Sequence, residues 1–314
     1  MTDKVAIVGA GLVGSAWAII FARAGREVVL FDQKPDQISD AIEMIGGNMK
    51  ELVEFGLLDD ADAALARIRP ATSLADALDG AAYVQESVFE REDVKIAFYK
   101  EMDAVIGTDT IVGSSSSGIP ASVFTENLGC SPRCLIAHPV NPPYVIPIVE
   151  IVPAPWTAKE TVNKTAALME EIGMEPVHLT REVDGFLINR LQGALLHEAF
   201  RLLEGGYATA EDIDKTVSEG LGRRWAFMGP FETIDLNAPL GLRDYCERLG
   251  PMYQKLAEQS GPPKAWGPEV VEKAHSPWRK KYAESEIKDR QAWRDKRLMA
   301  LAAHLQAAKD DIGT

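Results

Sequence analysis

Val5-Ala6-Ile7-Val8-Gly9-Ala10-Gly11-Leu12-Val13-Gly14 decides the fold. An apolar run suited to a buried strand ends in glycines spaced G-x-G-x-x-G and feeds a helix. Each glycine answers a physical need. Gly9 allows the tight turn, Gly11 lets the backbone approach a pyrophosphate, and Gly14 lets the helix pack close to the strand. The helix start, with Leu12 and Val13 in its first turn, then offers free N–H groups and a partial positive charge to phosphate oxygens.

Such a glycine pattern also arises by chance in a turn, so its surroundings carry the reading. Val13, Ala16, Ile20 and Ala24 recur at roughly helical spacing, and Gly25 stops the helix. A second strand, Glu27-Val28-Val29-Leu30-Phe31, runs into Asp32. An acid about 20 residues past the glycines is where this fingerprint binds the adenosine ribose hydroxyls. Its charge would repel a 2′-phosphate, which favours NAD over NADP, although Lys34 nearby would soften that preference.

Chain length, 314 residues, suits two domains. The formal net charge of −14 argues against nucleic acid or an anionic membrane as partner, since either needs a basic face. Cys130, Cys134 and Cys246 fit neither a redox CxxC nor a zinc site, and are expected as reduced thiols of a cytoplasmic protein. The chain enters a strand with no basic leader, and no run approaches the ~18 apolar residues of a membrane span.

Strands alternate with helices as far as residue 184. A helix is expected over 36–55, with Gly46-Gly47 interrupting it. Strands are expected at 82–86, 110–112, 134–138, 148–152 and 176–179, with helices over 91–106 and 157–172. This order predicts a mostly parallel sheet covered on both faces. From Gly185 onward no strand pattern is found. A nearly all-apolar helix is expected over 186–203 and another over 209–219, capped by Thr209 and broken by Gly220 and Gly222. A Pro/Gly-rich stretch covers 261–268, and a charged helix over 284–309 turns Trp293, Leu298, Leu301 and Leu305 inward. The reading is an α/β Rossmann-type dinucleotide-binding domain, residues 1–184, followed by an all-α C-terminal domain, residues 185–314. The helix around Ala194–Ala199 is apolar enough to require burial, which suggests a homodimer.

A bound dinucleotide implies redox chemistry. Oxidising an alcohol also needs a base, a group to orient that base and donors to hold the oxygen. In this fold the site lies at the carboxyl ends of the strands. Few polar residues fall there: Ser117 after one strand, His138 ending another, Glu150 on the next, and Asn189 at the start of the first helix of the second domain. A His–Glu pair makes a sound base, the carboxylate fixing the imidazole tautomer. Each residue also has a structural reading. His138 before Pro139 suits a strand end, Ser114–Ser117 a solvated loop, Glu150 a surface position and Asn189 a cap.

The sequence resembles the L-3-hydroxyacyl-CoA dehydrogenase superfamily along nearly its whole length. The resemblance is carried by the glycine loop, the serine run before Gly118, His138-Pro139-Val140-Asn141-Pro142-Pro143 with Glu150 after it, and Gly185-Phe186-Leu187-Ile188-Asn189-Arg190. Within the superfamily Ser218–Pro230, Glu232-Thr233 and Leu236-Asn237 resemble the lambda-crystallin branch, whose active members are L-gulonate 3-dehydrogenases. The resemblance implies that His138 is the base, Glu150 its partner, and Ser117 and Asn189 the substrate-oxygen contacts. It also implies that Glu90 and Lys95 lie near the nicotinamide end of NAD. From the residues alone these two read as a helix-start acid and an exposed lysine.

Acyl-CoA members of the superfamily tend to carry lysines on the long helix after the second strand. Here that stretch has Lys50 among several acids, which would repel a phosphorylated carrier. Arg223-Arg224 beside Trp225 instead suits a small carboxylate, and Arg224, matching the branch, is the candidate clamp. The expectation is NAD-dependent oxidation of the 3-hydroxyl of a small 3-hydroxy acid, L-gulonate first. Alternatives are a 3-hydroxyacyl-CoA or carnitine-type dehydrogenase, or a crystallin-like NAD-binding protein without turnover. No metal is expected.

Overall fold

The structure is a computed structural model and describes residues 4–261 and 265–313. It divides into two compact units, Met1–Ile188 with Ala292–Thr314, and Asn189–Gln291. The first unit opens β1 (Lys4–Val8), α1 (Leu12–Arg23), β2 (Glu27–Phe31), α2 (Pro35–Glu54), α3 (Ala61–Leu65), β3 (Ile68–Pro70) and α4 (Leu74–Leu78). It continues with β4 (Tyr83–Glu86), α5 (Glu92–Asp103), β5 (Ile111–Ser114), α6 (Ala121–Thr125), β6 (Cys134–Pro139), β7 (Ile148–Pro153), α7 (Lys159–Glu171) and β8 (Glu175–His178). The eight strands form one sheet in the order β3-β2-β1-β4-β5-β6-β7-β8. All neighbours run parallel except β6 and β7. This is the expected Rossmann-type sheet.

Side-chain alternation sorts the sheet into two faces. Val5, Ile7, Leu135, Ala137, Val149 and Ile151 pack with α1 and α2 residues such as Trp17, Ile45 and Met49. Ala6, Val8, Val84, Ile136 and Val152 pack on the opposite side with Phe98, Met102 and Phe124 of α5 and α6. Both faces are therefore dry, which is why the strands read as apolar runs with no polar alternation. The carboxyl end of the sheet, where these runs stop, is the place where polar side chains converge.

α2 is continuous through Gly46 and Gly47, where the sequence suggests an interruption. A Cβ on Gly46 would meet Leu65 of α3 at 3.3 Å. The glycine there serves helix packing and ends nothing.

Beyond β8 no strand occurs among the described residues. α8 (Ile188–Glu204) starts two residues later than the sequence pattern implies, because Gly185 and Phe186 take left-handed backbone with φ of 74° and 49°. Its only buried residue is Leu203, while Leu191 and Leu195 are exposed. Among the described residues, the burial expected from the composition of this helix is reached only at Leu203. α9 (Ala210–Lys215) is capped by the Thr209 side chain, as expected. Gly220 and Gly222, expected as breakers, do not interrupt the helical path. The chain passes through a π-helical turn, Thr216–Leu221, straight into α10 (Gly222–Trp225).

The second unit continues with α11 (Pro230–Leu236), α12 (Leu242–Ser260) and α13 (Pro268–Lys281). The Pro/Gly-rich stretch over 261–268 falls partly outside the described residues. α14 (Ile287–Ile312) closes the chain, and from Ala292 onward it groups with the first unit. Met299 is its buried anchor in the α1/α2-side core and Leu298 packs beside it, whereas Trp293 and Leu301 face outward. Of the expected inward stripe, Leu298 and half-buried Leu305 keep their side, while Trp293 and Leu301 do not.

Candidate active site

The β1–α1 turn meets the demands read from its glycines. Gly9 has φ 99°, and a Cβ there would stand 2.4 Å from the Ser87 carbonyl oxygen. A Cβ on Gly14 would stand 1.8 Å from the Gly9 oxygen, so helix and turn touch there. Around Gly11 nothing lies within 4 Å of such a Cβ, and the space above it is open. α1 has no side-chain cap and no acid in its first turn, so the N–H groups over Leu12, Val13 and Gly14 are available to an anion. Asp32, just past β2, accepts from Ala10 N at 2.8 Å and Lys34 N at 2.9 Å, which fixes its carboxylate beside the turn. A cleft of about 610 Å³, lined by Ala10, Gly11, Leu12, Lys34 and Asp40 among others, adjoins it. An uncapped helix end, a glycine facing open space and a carboxylate held beside the turn fit a dinucleotide.

On the far side of the sheet's centre, His138 and Glu150 stand directly opposite in the antiparallel β6–β7 pair. Cross-strand partners place their side chains on one face. His138 Nδ1 lies 2.7 Å from Glu150 Oε2, and both side chains are buried. The other carboxylate oxygen, Oε1, accepts from Leu187 N at 2.7 Å and Ile188 N at 3.1 Å, the backbone leading into α8. An ionised carboxylate only accepts, so Nδ1 carries the proton and donates, and Nε2 is left as the acceptor. Phe186, fully buried, packs against the imidazole with ring centroids 5.6 Å apart.

A second buried cluster occupies the ends of β4 and β5. Lys95 of α5 is only 1% exposed, against the exposed lysine that its local sequence suggests. Its Nζ lies 2.8 and 3.0 Å from the two oxygens of Glu86, itself fully buried. Glu86 also accepts from Ser114 Oγ at 2.5 Å, Val88 N at 2.7 Å and Tyr99 OH at 3.4 Å. Burial, reinforced by the Glu86 charge, pushes the Tyr99 phenol well up, which keeps it a donor. Glu90 Oε2 stands 3.6 Å from Lys95 Nζ. Glu90 Oε1 accepts from Ser116 Oγ at 2.7 Å and from the N–H groups of Ser117 and Gly118, both at 2.9 Å. Partial burial would raise the Glu90 carboxyl, but Ser116, Lys95 and the two N–H groups outweigh it and hold it low.

On the other face Gln85, buried, takes a hydrogen bond from Tyr83 OH at 2.8 Å. It donates to Ser115 Oγ at 2.8 Å, which also accepts from Trp17 Nε1 at 3.1 Å. Sequence reasoning does not single out Glu86, Ser114, Ser115, Ser116 or Gln85 as site residues. The available signal is an acid closing an apolar strand with a lysine on the next helix. No local spacing rule joins those two, because the sheet brings them together.

The first unit thus gathers Gly9, Gly11, Gly14, Asp32, Glu90, Lys95, Ser117, His138 and Glu150 at the carboxyl ends of its strands. Ser117 is exposed on the turn after β5. Asn189 and Arg224 belong to the second unit. Asn189 is the second residue of α8, and Arg224 is half-buried on α10. Arg223 pairs with Glu219, and among the described residues no carboxylate forms an ion pair with Arg224. No cluster of three or more metal-ligating side chains occurs among the described residues.

A parallel-dominated dinucleotide sheet followed by a helical unit defines an NAD-binding protein of the two-domain dehydrogenase class. The chain belongs to the 3-hydroxyacyl-CoA dehydrogenase family. That family's NAD binding domain matches residues 4–183 and its C-terminal domain residues 185–284. A lambda-crystallin homolog of Bos taurus is 42% identical over 95% of this chain and 94% of its own length. An L-carnitine dehydrogenase of Oceanobacillus iheyensis is 37% identical over 79% of this chain and 80% of its own. Among solved structures, 5-formyl-3-hydroxy-2-methylpyridine 4-carboxylic acid 5-dehydrogenase, an NAD+-dependent dismutase, superposes with a TM-score of 0.85 at 31% identity. That match covers 98% of this chain and 99% of the other.

Proposed function

We propose that this protein oxidises the 3-hydroxyl of a small 3-hydroxy acid, with L-gulonate, giving 3-dehydro-L-gulonate, as the leading substrate. The observation that carries the reading is the 2.7 Å pair of His138 and Glu150 at the carboxyl edge of the sheet, in a chain whose glycine turn fits NAD. NAD+, when bound, supplies the hydride acceptor. His138 Nε2 takes the hydroxyl proton as the carbon gives up its hydride, and Glu150 stabilises the imidazolium that results. Ser117 and Asn189 hold the substrate oxygen. Arg224 anchors the substrate carboxylate and so orients the carbon for transfer. Gly9–Gly14 and Asp32 would hold the pyrophosphate and adenosine ribose of NAD, and Glu90 and Lys95 would lie toward its nicotinamide.

The acids exposed on α2, Asp36, Asp40 and Glu43 among them, favour a small substrate over a phosphorylated carrier. The exposed Leu191, Leu195, Phe227, Phe231 and Leu240 of the second unit support a homodimer. Free, buried Cys130 and Cys134 suit a reducing cytoplasm.

The test is a panel of L-gulonate, (S)-3-hydroxybutyrate, L-carnitine and 3-hydroxybutyryl-CoA assayed by NADH formation. Highest kcat/KM for L-gulonate or (S)-3-hydroxybutyrate supports the reading. Preference for the thioester or for carnitine replaces it with the corresponding relative's activity, and tight NADH binding without turnover leaves a crystallin-like role. Sedimentation at micromolar concentration decides the dimer.

A further inference from the structure

Glu90 makes more contact with the chain than a residue reserved for the cofactor needs. One carboxylate oxygen accepts from the Ser116 hydroxyl at 2.7 Å and from the N–H groups of Ser117 and Gly118 at 2.9 Å, with Ile119 N at 3.4 Å. Ser116 Oγ in turn reaches Ile119 O at 2.7 Å and accepts from Ile119 N at 3.0 Å, so the turn 116–119 closes around this one oxygen. Consecutive N–H groups aimed at a single point form an anion-binding concavity, and here the anion is a side chain of the same protein. The second oxygen faces Lys95, whose ammonium is fixed by both oxygens of Glu86 at the end of β4. Glu86 is held by Ser114, the last residue of β5.

We infer that Glu90 is a positioning residue. Its carboxylate, fixed from behind by the buried Lys95–Glu86 pair, sets the backbone turn that carries Ser117 and thereby the Ser117 hydroxyl at the edge of the sheet.

Charge and burial support the direction of this linkage. Lys95 and Glu86 neutralise each other in a dry setting, where removing either partner leaves an unpaired buried charge. Glu90 brings one further negative charge, and its side chain is 39% exposed. That charge is balanced by the four polar donors of the turn and by the shared ammonium. Ser117 itself is exposed and sits on a turn between β5 and α6. The Glu90 carboxylate ties this turn to the start of α5 through Ser116 and the Ser117 and Gly118 amides. The linkage to turnover rests on the Ser117 role proposed above, whereas the hold on the turn does not.

Two readouts separate those statements in the full-length protein. The first is amide hydrogen exchange of the peptide spanning residues 115–120, with a β1 peptide as internal control. Glu90→Ala should speed exchange at Ser117 and Gly118 by about tenfold or more, matching roughly 1.5 kcal/mol per lost charged hydrogen bond. Glu90→Gln keeps an acceptor oxygen and should preserve most of the protection. Unchanged exchange in Glu90→Ala overturns the inference. Faster exchange throughout the β1 control marks general unfolding, and Glu90→Gln then decides: protection retained there supports the hold on the turn, and protection lost in both overturns it.

The second is a double-mutant cycle with Ser117→Ala, reading kcat at saturating NAD with L-gulonate, or with the panel's best acid if that differs. Glu90→Ala should lower kcat about 10–100-fold, the scale of a displacement near 1 Å, with the NADH Kd within about threefold of the parent. In the Ser117→Ala background the same change should cost little, because the group being positioned is gone. Multiplicative losses, or a loss of NADH affinity with kcat intact, overturn the inference in favour of a direct cofactor contact. A silent Ser117→Ala instead removes Ser117 from the proposed reaction, and the exchange result then decides alone whether Glu90 holds the turn.

Discussion

Replacing Glu150 by Gln changes one charge and leaves the shape of the side chain. In the native arrangement Oε1 accepts from Leu187 N and Ile188 N while Oε2 accepts from His138 Nδ1. A Gln oxygen can keep the two backbone donors, so the start of α8 should survive. Its amide nitrogen then faces Nδ1 and donates, which moves the imidazole proton to Nε2. The nitrogen meant to take the hydroxyl proton is blocked, and the imidazolium formed in the reaction loses its counter-charge. With charge centres about 4 Å apart and an effective dielectric of about 20, that counter-charge is worth about 4 kcal/mol. At about 1.4 kcal/mol per factor of ten, kcat should fall about a thousandfold. The assay is NADH formation at saturating NAD with the preferred acid, together with NADH binding by fluorescence and a thermal melt. NADH affinity should change by less than about twofold, since Glu150 stands on β7, four strands from the glycine turn after β1. A kcat within tenfold of the parent, with the fold intact, would refute the dyad as the source of base catalysis.

Three further outcomes are expected from the geometry. His138→Gln should bind NADH normally and lose turnover by about 100-fold or more, and near-native turnover in steady-state kinetics would remove His138 as the base. Gly11→Ala should melt within a few degrees of the parent yet lose NADH affinity, because its Cβ meets only the open space of the phosphate site. Gly14→Ala should lose both, because its Cβ meets the Gly9 oxygen at 1.8 Å; equal melting temperatures for the two variants in calorimetry would contradict this. For Asp103, partial burial would raise the carboxyl, but N–H donors from Gly129 and Cys130 and the nearby Arg133 hold it below its ordinary value. A depressed folded value means stability complete above the unfolded pKa near ~3.9 and lost as pH falls through the folded one. The stability gap between the parent and Asp103→Asn should therefore narrow as pH is lowered from about 6 to about 3 in urea titrations, and a pH-independent gap would exclude the linkage.

Much of this molecule is legible in its sequence, and for a local reason. A strand buried on both faces must be apolar and short, so Val5–Val8, Val28–Leu30 and Leu135–Ala137 announce themselves, as does the turn that needs Gly9 and Gly14. The His138–Glu150 pairing is legible only as a suspicion, since residues twelve apart become neighbours when two strands run antiparallel in one particular register. The burial of Lys95 is illegible in its local sequence, and only the family resemblance singles the residue out. Its neighbours in sequence describe a solvated helix start, and the reason for its burial, Glu86, sits on a strand that sequence reading treats only as core. The same holds for Met299. The local pattern of α14 points Trp293 and Leu301 inward along with Leu298, but the core of α1 and α2, far earlier in the chain, takes Met299 and leaves those two exposed. The composition of α8 demands burial, but composition does not say whether one chain or two supply the cover.

The left-handed backbone at Gly185 and Phe186 turns the chain so that the first amides of α8 end on Glu150. One side chain thereby serves two masters: it pairs with an imidazole and it receives the amides at the start of a helix. Replacements at residue 150 that lack an acceptor oxygen leave the amides at the start of α8 without this partner, whereas Gln can keep it. Variation at residue 150 is accordingly constrained from two directions, which narrows the replacements open to it more than either duty would alone.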